Sequence, residues 1–197
     1  MILNGLTGCQ AVYCVVSPTA VTASFKPRGY ASSAGRIDII ARCMYVLSFF
    51  SGTCFLGVLL GPPDPPKIVF DARPSYTSER EAVLSLSKAL KRGRLGTLEV
   101  MSESPEKLWL KVRRFGFKFT LLKEEGENAL SNPHLVEGQR LFFLGSQIDM
   151  PEHLQSFVLS LGADVISVGP MSLHTEHVIA FVEWLRRTGV RALTERL

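Results

Sequence analysis

The chain has 197 residues, 46% of them hydrophobic, which suits one domain of ordinary size with enough apolar content for a proper core. Lys and Arg outnumber Asp and Glu by 22 to 18 and the isoelectric point is about 9.0, which permits an anionic partner without demanding one. No G-x-G-x-x-G or G-x-x-x-x-G-K-[ST] occurs, which excludes the glycine-rich phosphate loops of dinucleotide-binding and P-loop proteins.

The first ten residues, MILNGLTGCQ, lack a basic region and a clear hydrophobic region, so no signal peptide is expected. Residues 1–10 read as a loose extension, and a single domain is expected over 11–197. AVYCVVS at 11–17 is a β-branched and aromatic run of strand length. A polar loop with Gly and Pro follows and ends in Ser32 and Ser33 as candidate helix caps. A helix from about Gly35 carries Ile37, Ile40, Met44 and Leu47 on one face, with Ile39, Cys43 and Val46 beside it. This wide apolar surface must be buried. Arg36 and Asp38 stand in the first turn, either aimed into a cleft or joined in a local ion pair.

Residues 43–61 carry no charge and reach the length of a membrane span. The serines, glycine and threonine of SFFSGT divide the stretch, so a helix ending near Phe50 and a separate strand, TCFLGVLLG, are expected instead. In PPDPP at 62–66, four prolines fix the backbone and remove four donors, holding Asp64 on a stiff loop at the carboxyl end of a buried strand. A carboxylate there suits chemistry; a rigid turn between strands is the other reading. KIVFDAR at 67–73 is the next strand. A helix follows with a Ser78 to Glu81 capping box, an apolar face of Val83, Leu86 and Leu90, and a basic end closed by Gly93. LWLKV at 108–112 runs into RRFGF, where Arg113 and Arg114 precede a glycine between two aromatic rings, as a phosphate and base platform requires. Basic residues cluster at 88–94, 111–118 and 186–196. Each cluster is either a solvated face or a phosphate contact, and three together favour nucleic acid.

Two short buried strands, LFFLG and DVISVGP, are each followed by a glycine-containing loop and an apolar periodic segment. Ligands of parallel α/β sheets sit beyond the carboxyl ends of the strands, so both loops are pocket candidates. The first holds Gly145 and the second Gly169, Pro170, Met171, Ser172 and Leu173. Backbone amides and apolar walls suit an adenosine-bearing cofactor better than a free phosphate, unless these glycines only turn the chain. The last helix, from His174, carries Val178, Phe181, Val182 and Leu185 and packs on the core or on a second subunit. Cys9, Cys14, Cys43 and Cys54 show no C-x-x-C spacing and complete no zinc set with the histidines; buried free thiols in a reducing cytoplasm are expected. His174 and His177 share a helix face, but nothing nearby completes a metal site, and none is expected. The order of elements reads as α/β with a mostly parallel sheet flanked by helices.

Four motifs in order, SAGRIDIIARC (33–43), GPPDPP (61–66), VRRFGF (112–117) and GPMSLHTEH (169–177), resemble those of the archaeal tRNA pseudouridine N1-methyltransferases, the TrmY family of the SPOUT superfamily. The resemblance runs from about Ala11 to Arg187. It implies an α/β domain with a trefoil knot near the C-terminus, an exception to the rule against threaded chains. It also implies an S-adenosylmethionine site made by the knot loops, a cytoplasmic homodimer, and methylation of N1 of the pseudouridine at position 54 in the T loop of tRNA, giving N1-methylpseudouridine. Carried over by motif, the cofactor contacts are Leu122, Gly145, Val168, Gly169, Pro170, Met171, Ser172, Leu173 and Val178, where the family often has a cysteine in place of Val178. Residues 93–107 are shorter than and different from the family's.

The implied chemistry is direct methyl transfer. N1 of pseudouridine becomes a good nucleophile only as its proton leaves, so a carboxylate serves as base, Asp64 first and Asp38 second. Arg36, Arg113 and Arg114 would hold phosphates or stabilise negative charge on the base. Two rivals are a related SPOUT enzyme acting on pseudouridine in ribosomal RNA and a non-catalytic RNA-binding protein of the same fold.

Overall fold

The computed structural model describes residues 5–63, 65–131, 137–169 and 171–188. Its centre is β1 (Ala11–Ser17), every residue of which is buried. Ala11, Tyr13 and Val15 enter the core on one side of the sheet, and Val12, Cys14 and Val16 enter the core on the other. An unbroken apolar run is therefore required, since both faces of this strand are covered.

β2 (Thr53–Leu59) pairs parallel with β1 on one side and β7 (Arg140–Gly145) pairs parallel on the other. β6 (Lys118–Asn128) and β8 (Asp164–Ser167) extend the parallel region beyond β7. Beyond β2 lie β3 (Lys67–Asp71), β5 (Leu98–Met101) and β4 (Arg94–Leu95), all antiparallel to their neighbours. The eight-stranded order is β4-β5-β3-β2-β1-β7-β6-β8.

One face is covered by α1 (Tyr30–Ser33), α2 (Ile37–Leu47), α3 (Glu79–Arg92) and α6 (Thr175–Thr188), which bury Ile37, Met44, Val83, Leu86, Ile179 and Val182. The other is covered by α4 (Pro105–Arg114) and α5 (Glu152–Ser160), through Leu108, Trp109, Leu154 and Val158. The expected α/β class with a mostly parallel sheet flanked by helices is the class observed.

The charge-free stretch at 43–61 divides between α2 and β2, and among the described residues no helix is long and apolar enough to cross a membrane. α3 starts at Ser78, whose hydroxyl accepts from Glu81 N at 3.2 Å, and ends at Gly93 in the left-handed region at φ 80°. The returning arm of the capping box reaches Thr77 N at 2.8 Å, one residue before the cap.

Three expectations are corrected. Ser32 and Ser33 are not caps of the long helix: they lie in α1, and both hydroxyls bond to Gly29 O. α2 instead begins after Arg36, itself in the left-handed region at φ 62°. Residues 5–10 are not a loose extension, because Leu6 and Cys9 are buried beside Val12 and Phe70. Nor are all the cysteines free. Cys9 and Cys54 form a disulfide, brought together because Ala11 pairs with Thr53 at the start of β1 and β2. Cys14 and Cys43 remain free thiols, and burial pushes both well above the ordinary thiol range, which makes them inert.

Candidate functional site

At the carboxyl ends of β6, β7 and β8 the chain encloses a cavity of about 220 Å³. Leu122, Gly145, Val168, Gly169, Met171, Ser172, Leu173 and Val178 all line it, so both glycine-bearing loops meet at one place. Pro170, also expected there, lies outside the described residues.

Two local devices shape this cavity. The first is a bulge in β6: Leu122 and Glu127 both pair with Ile166 of β8, so residues 123–126 are pushed out of the ladder. Gly126 sits so close to β8 that a Cβ would stand 2.3 Å from the Ile166 carbonyl carbon, which only glycine allows. The extruded Lys123, Glu124 and Glu125 line the cavity, and Lys123 Nζ is held by Gln155 Oε1 at 3.0 Å. The second device is Thr175 at the start of α6. Its hydroxyl lies 3.0 Å from the carbonyl oxygens of both Gly145 and Ser146, joining the helix to the loop after β7.

Among the described residues Glu124, Glu125 and Asp149 give the cavity carboxylates, against one cation, Lys123. Apolar wall comes from Leu122, Leu144, Ile166 and Val168, while Met171 is 71% exposed at the rim. Glu124, Glu125, Asp149 and Thr175 were not among the expected site residues. The signal for the first two was present, since consecutive acids directly follow the apolar run in FTLLKEEG, inside β6 rather than beyond it.

Arg36 and Asp38 are joined rather than presented to an open cleft. The Arg36 guanidinium donates to Asp38 from Nε at 3.0 Å and from Nη2 at 3.1 Å, and Arg42 also donates to Asp38. Arg42 continues to Glu176 at 2.9 Å, and Glu176 follows Thr175 of the cavity wall. Burial of Asp38 works against its charge, but the bonds from Arg36 and Arg42 outweigh it and hold the carboxyl below its ordinary value of 3.8. A carboxylate so occupied is a poor proton acceptor; what it does is hold Arg36.

Because the folded value is depressed, Asp38 contributes stability that is fully present above pH 3.8 and is lost as pH falls through the lower folded value. Asp38→Asn is expected to cost about 2 kcal/mol at neutral pH, with the difference from wild type shrinking below that point, as measured by denaturant unfolding at several pH values. A cost that stays constant down to strong acid would contradict this.

The arginines expected to hold RNA are not one patch within this chain. Arg36 lies at the carboxyl ends of the parallel strands on the α2 face, whereas Arg113 and Arg114 end α4 on the opposite face, where the chain enters β6. Arg113 donates to Phe117 O at 3.0 Å and stacks over Phe119. The basic end of α6 is also used inside the fold: Glu183, buried, meets Tyr13 Oη at 2.7 Å, Arg186 at 3.2 Å and Arg187 at 3.1 Å. Asp64 lies outside the described residues, as do Arg191 and Arg196. Among the described residues no group of three His, Cys, Asp or Glu is placed to hold a metal ion, and the rings of His174 and His177 pack edge to face.

A family model described as "Putative SAM-dependent RNA methyltransferase" matches residues 11–189. The chain is 35% identical over 183 residues to the tRNA (pseudouridine(54)-N(1))-methyltransferase of Aeropyrum pernix, covering 90% of this chain and 94% of that one. It is 31% identical over 164 residues to the protein of the same name from Methanosarcina mazei, covering 76% and 77%. Among solved structures, Archaeoglobus fulgidus Nep1 bound to S-adenosylhomocysteine shares the fold with a TM-score of 0.65 at 18% identity, over 93% of this chain and 100% of that one. The matched residues run from the start of the central strand past the end of α6 and include both loops of the cavity, and the chain belongs to this family of SAM-dependent RNA methyltransferases.

Proposed function

We propose that the chain transfers a methyl group from S-adenosylmethionine to N1 of the pseudouridine at position 54 in the T loop of tRNA, giving N1-methylpseudouridine. The observation that carries the proposal is the cavity at the ends of β6, β7 and β8, seen in a chain whose relatives bear that name. The cavity suits the donor chemically. Leu122, Leu144, Ile166 and Val168 offer an apolar wall for an adenine ring, and the carboxylates of Glu124, Glu125 and Asp149 suit ribose hydroxyls and a cationic sulfur. Bound there, S-adenosylmethionine supplies an electrophilic methyl group.

The residues of the chain then have to orient the base and take up its proton. Asp64 is the proposed acceptor, with Asp38 acting through Arg36 rather than on the proton itself. That Arg36 is 45% exposed, and held by Asp38 beside the network that reaches the cavity wall, supports its meeting an anionic partner. The proposal includes a single methyltransferase domain over 11–197, the trefoil knot around the cavity, a cytoplasmic location where tRNA is found, and a homodimer. For the last, Phe49 and Trp184, 67% and 40% exposed at one end of the packed α2 and α6, offer an apolar surface.

The test assays methyl transfer to unmodified tRNA, to tRNA carrying pseudouridine at position 54, and to a pseudouridine-containing ribosomal RNA fragment. Transfer only to the second is expected. Transfer to the ribosomal fragment alone would assign the chemistry to the other RNA, and no binding of S-adenosylmethionine in a calorimetric titration would leave an RNA-binding protein without catalysis.

A further inference from the structure

We infer that the RNA backbone is held on a cradle formed by Lys26, Arg28 and Arg80 around Tyr30, on the helix face that carries Arg36 and away from Arg113 and Arg114. The inference deepens the proposed function, because it rests on RNA being the substrate and says where the strand lies. Segment 18–36, which joins β1 to α2, contains Lys26, Arg28 and Arg36 and no Asp or Glu. Together with the first turn of α3 it walls an opening of about 650 Å³ lined by Lys26, Pro27, Arg28, Tyr30, Arg80 and Leu84. Three cations stand around an apolar floor with one aromatic ring. Phosphates supply the charge such a site takes, and a ribose or base the flat apolar surface.

Among the described residues no side chain pairs with these cations. Lys26, Arg28 and Arg80 are exposed, and the neighbouring acids are turned elsewhere: Glu79 accepts from the Tyr30 hydroxyl at 3.3 Å and faces Arg42 at 3.9 Å, while Glu81 accepts from Thr77. The segment is also anchored. Ser87 Oγ donates to Phe25 O at 2.7 Å, the Ser32 and Ser33 hydroxyls donate to Gly29 O, and Thr19 Oγ1 donates to Gly35 O at 2.8 Å. A fixed cradle costs little ordering entropy when a strand binds.

Two routes join it to the cofactor cavity. Gln147 Nε2, two residues after Gly145, donates to Thr19 Oγ1 at 2.8 Å. From Tyr30 the other route runs through Glu79, Arg42 and Glu176 to Thr175 of the cavity wall. This continuity favours the RNA that carries the target base over an anionic membrane, for which no such link is needed.

The test compares wild type with the triple variant Lys26→Ala, Arg28→Ala, Arg80→Ala for binding of labelled tRNA, with S-adenosylhomocysteine present, across a salt series. The dissociation constant is expected to rise about tenfold or more, and the slope of log affinity against log salt to shrink by about 2, as loss of three phosphate contacts requires. The charge-keeping variant Lys26→Arg, Arg28→Lys, Arg80→Lys should bind within about threefold of wild type, which separates charge from shape. Thermal melting and calorimetry with S-adenosylmethionine should not distinguish the variants. An alanine variant that binds RNA as tightly as wild type with the same salt slope overturns the cradle, as does one that loses binding only to vesicles containing phosphatidylserine. Methylation by wild type is scored separately, so a failure of the substrate assignment is not confused with a failure of the cradle.

Discussion

Asp64→Asn is expected to lower turnover about a hundredfold or more while affinity for S-adenosylmethionine is unchanged. The amide keeps the size and hydrogen-bonding outline of the carboxylate but cannot take a proton from N1. The residues before it are fixed: Gly61 N donates to Ala20 O at 2.9 Å, Thr22 N donates to Pro62 O at 3.2 Å, and a Cβ on Gly61 would come 2.2 Å from Thr19 O. This stretch is therefore tied to the segment that carries Arg36. Asp38 is not a rival for the proton, because two arginines hold its charge. Single-turnover rates across pH, with calorimetry for the cofactor, make the measurement. Unchanged turnover rejects Asp64 as proton acceptor, and a loss of cofactor affinity of the same size moves its role to binding.

Replacing Gly145 by Val is expected to weaken S-adenosylmethionine binding about a hundredfold, close to 2.7 kcal/mol. A Cβ at this position would stand 2.6 Å from Ile148 O and 3.0 Å from the Asp149 Cα. Both are backbone atoms, so the chain after β7 has to open, which shifts Asp149 in the cavity wall and disturbs the two carbonyls that Thr175 holds. Pairing of β7 with β1 runs through residues 140–145 and leaves the strand itself in register, so the melting midpoint should fall only modestly. Calorimetric titration beside a thermal melt decides it. Binding within about threefold of wild type would mean that this bend does not touch the cofactor.

Much of this architecture was legible because burial leaves a plain mark. AVYCVVS and LFFLG are apolar without alternation, as strands covered on both faces must be, and the expected strand at 11–17 has the bounds observed. The two cavity loops were legible from glycine and from the rule that ligands gather at carboxyl ends of parallel strands. The antiparallel edge was not among the expectations, although the connection between β2 and β3, residues 60–66, is too short for a parallel crossover. Other features depend on register or on which face a helix takes. Cys9 and Cys54, 45 residues apart, become neighbours only once β1 and β2 are aligned. Arg113 and Arg114 look like partners of Arg36 in one dimension, yet α4 crosses beneath the sheet while α2 crosses above it. Glu124 and Glu125 reach the cavity through a bulge that breaks the strand's period, and a broken period looks like the end of an element.

That bulge separates the shape of the cavity from the register of the sheet. Because one residue of β8, Ile166, is claimed from both sides of the excursion, the number of residues between Leu122 and Glu127 is uncoupled from the alignment of everything downstream. Lengthening or shortening this bight would restyle one wall of the cavity and leave the pairing beyond it in register. The sheet thus holds a place where insertion or deletion reshapes the cavity wall without a change of strand register.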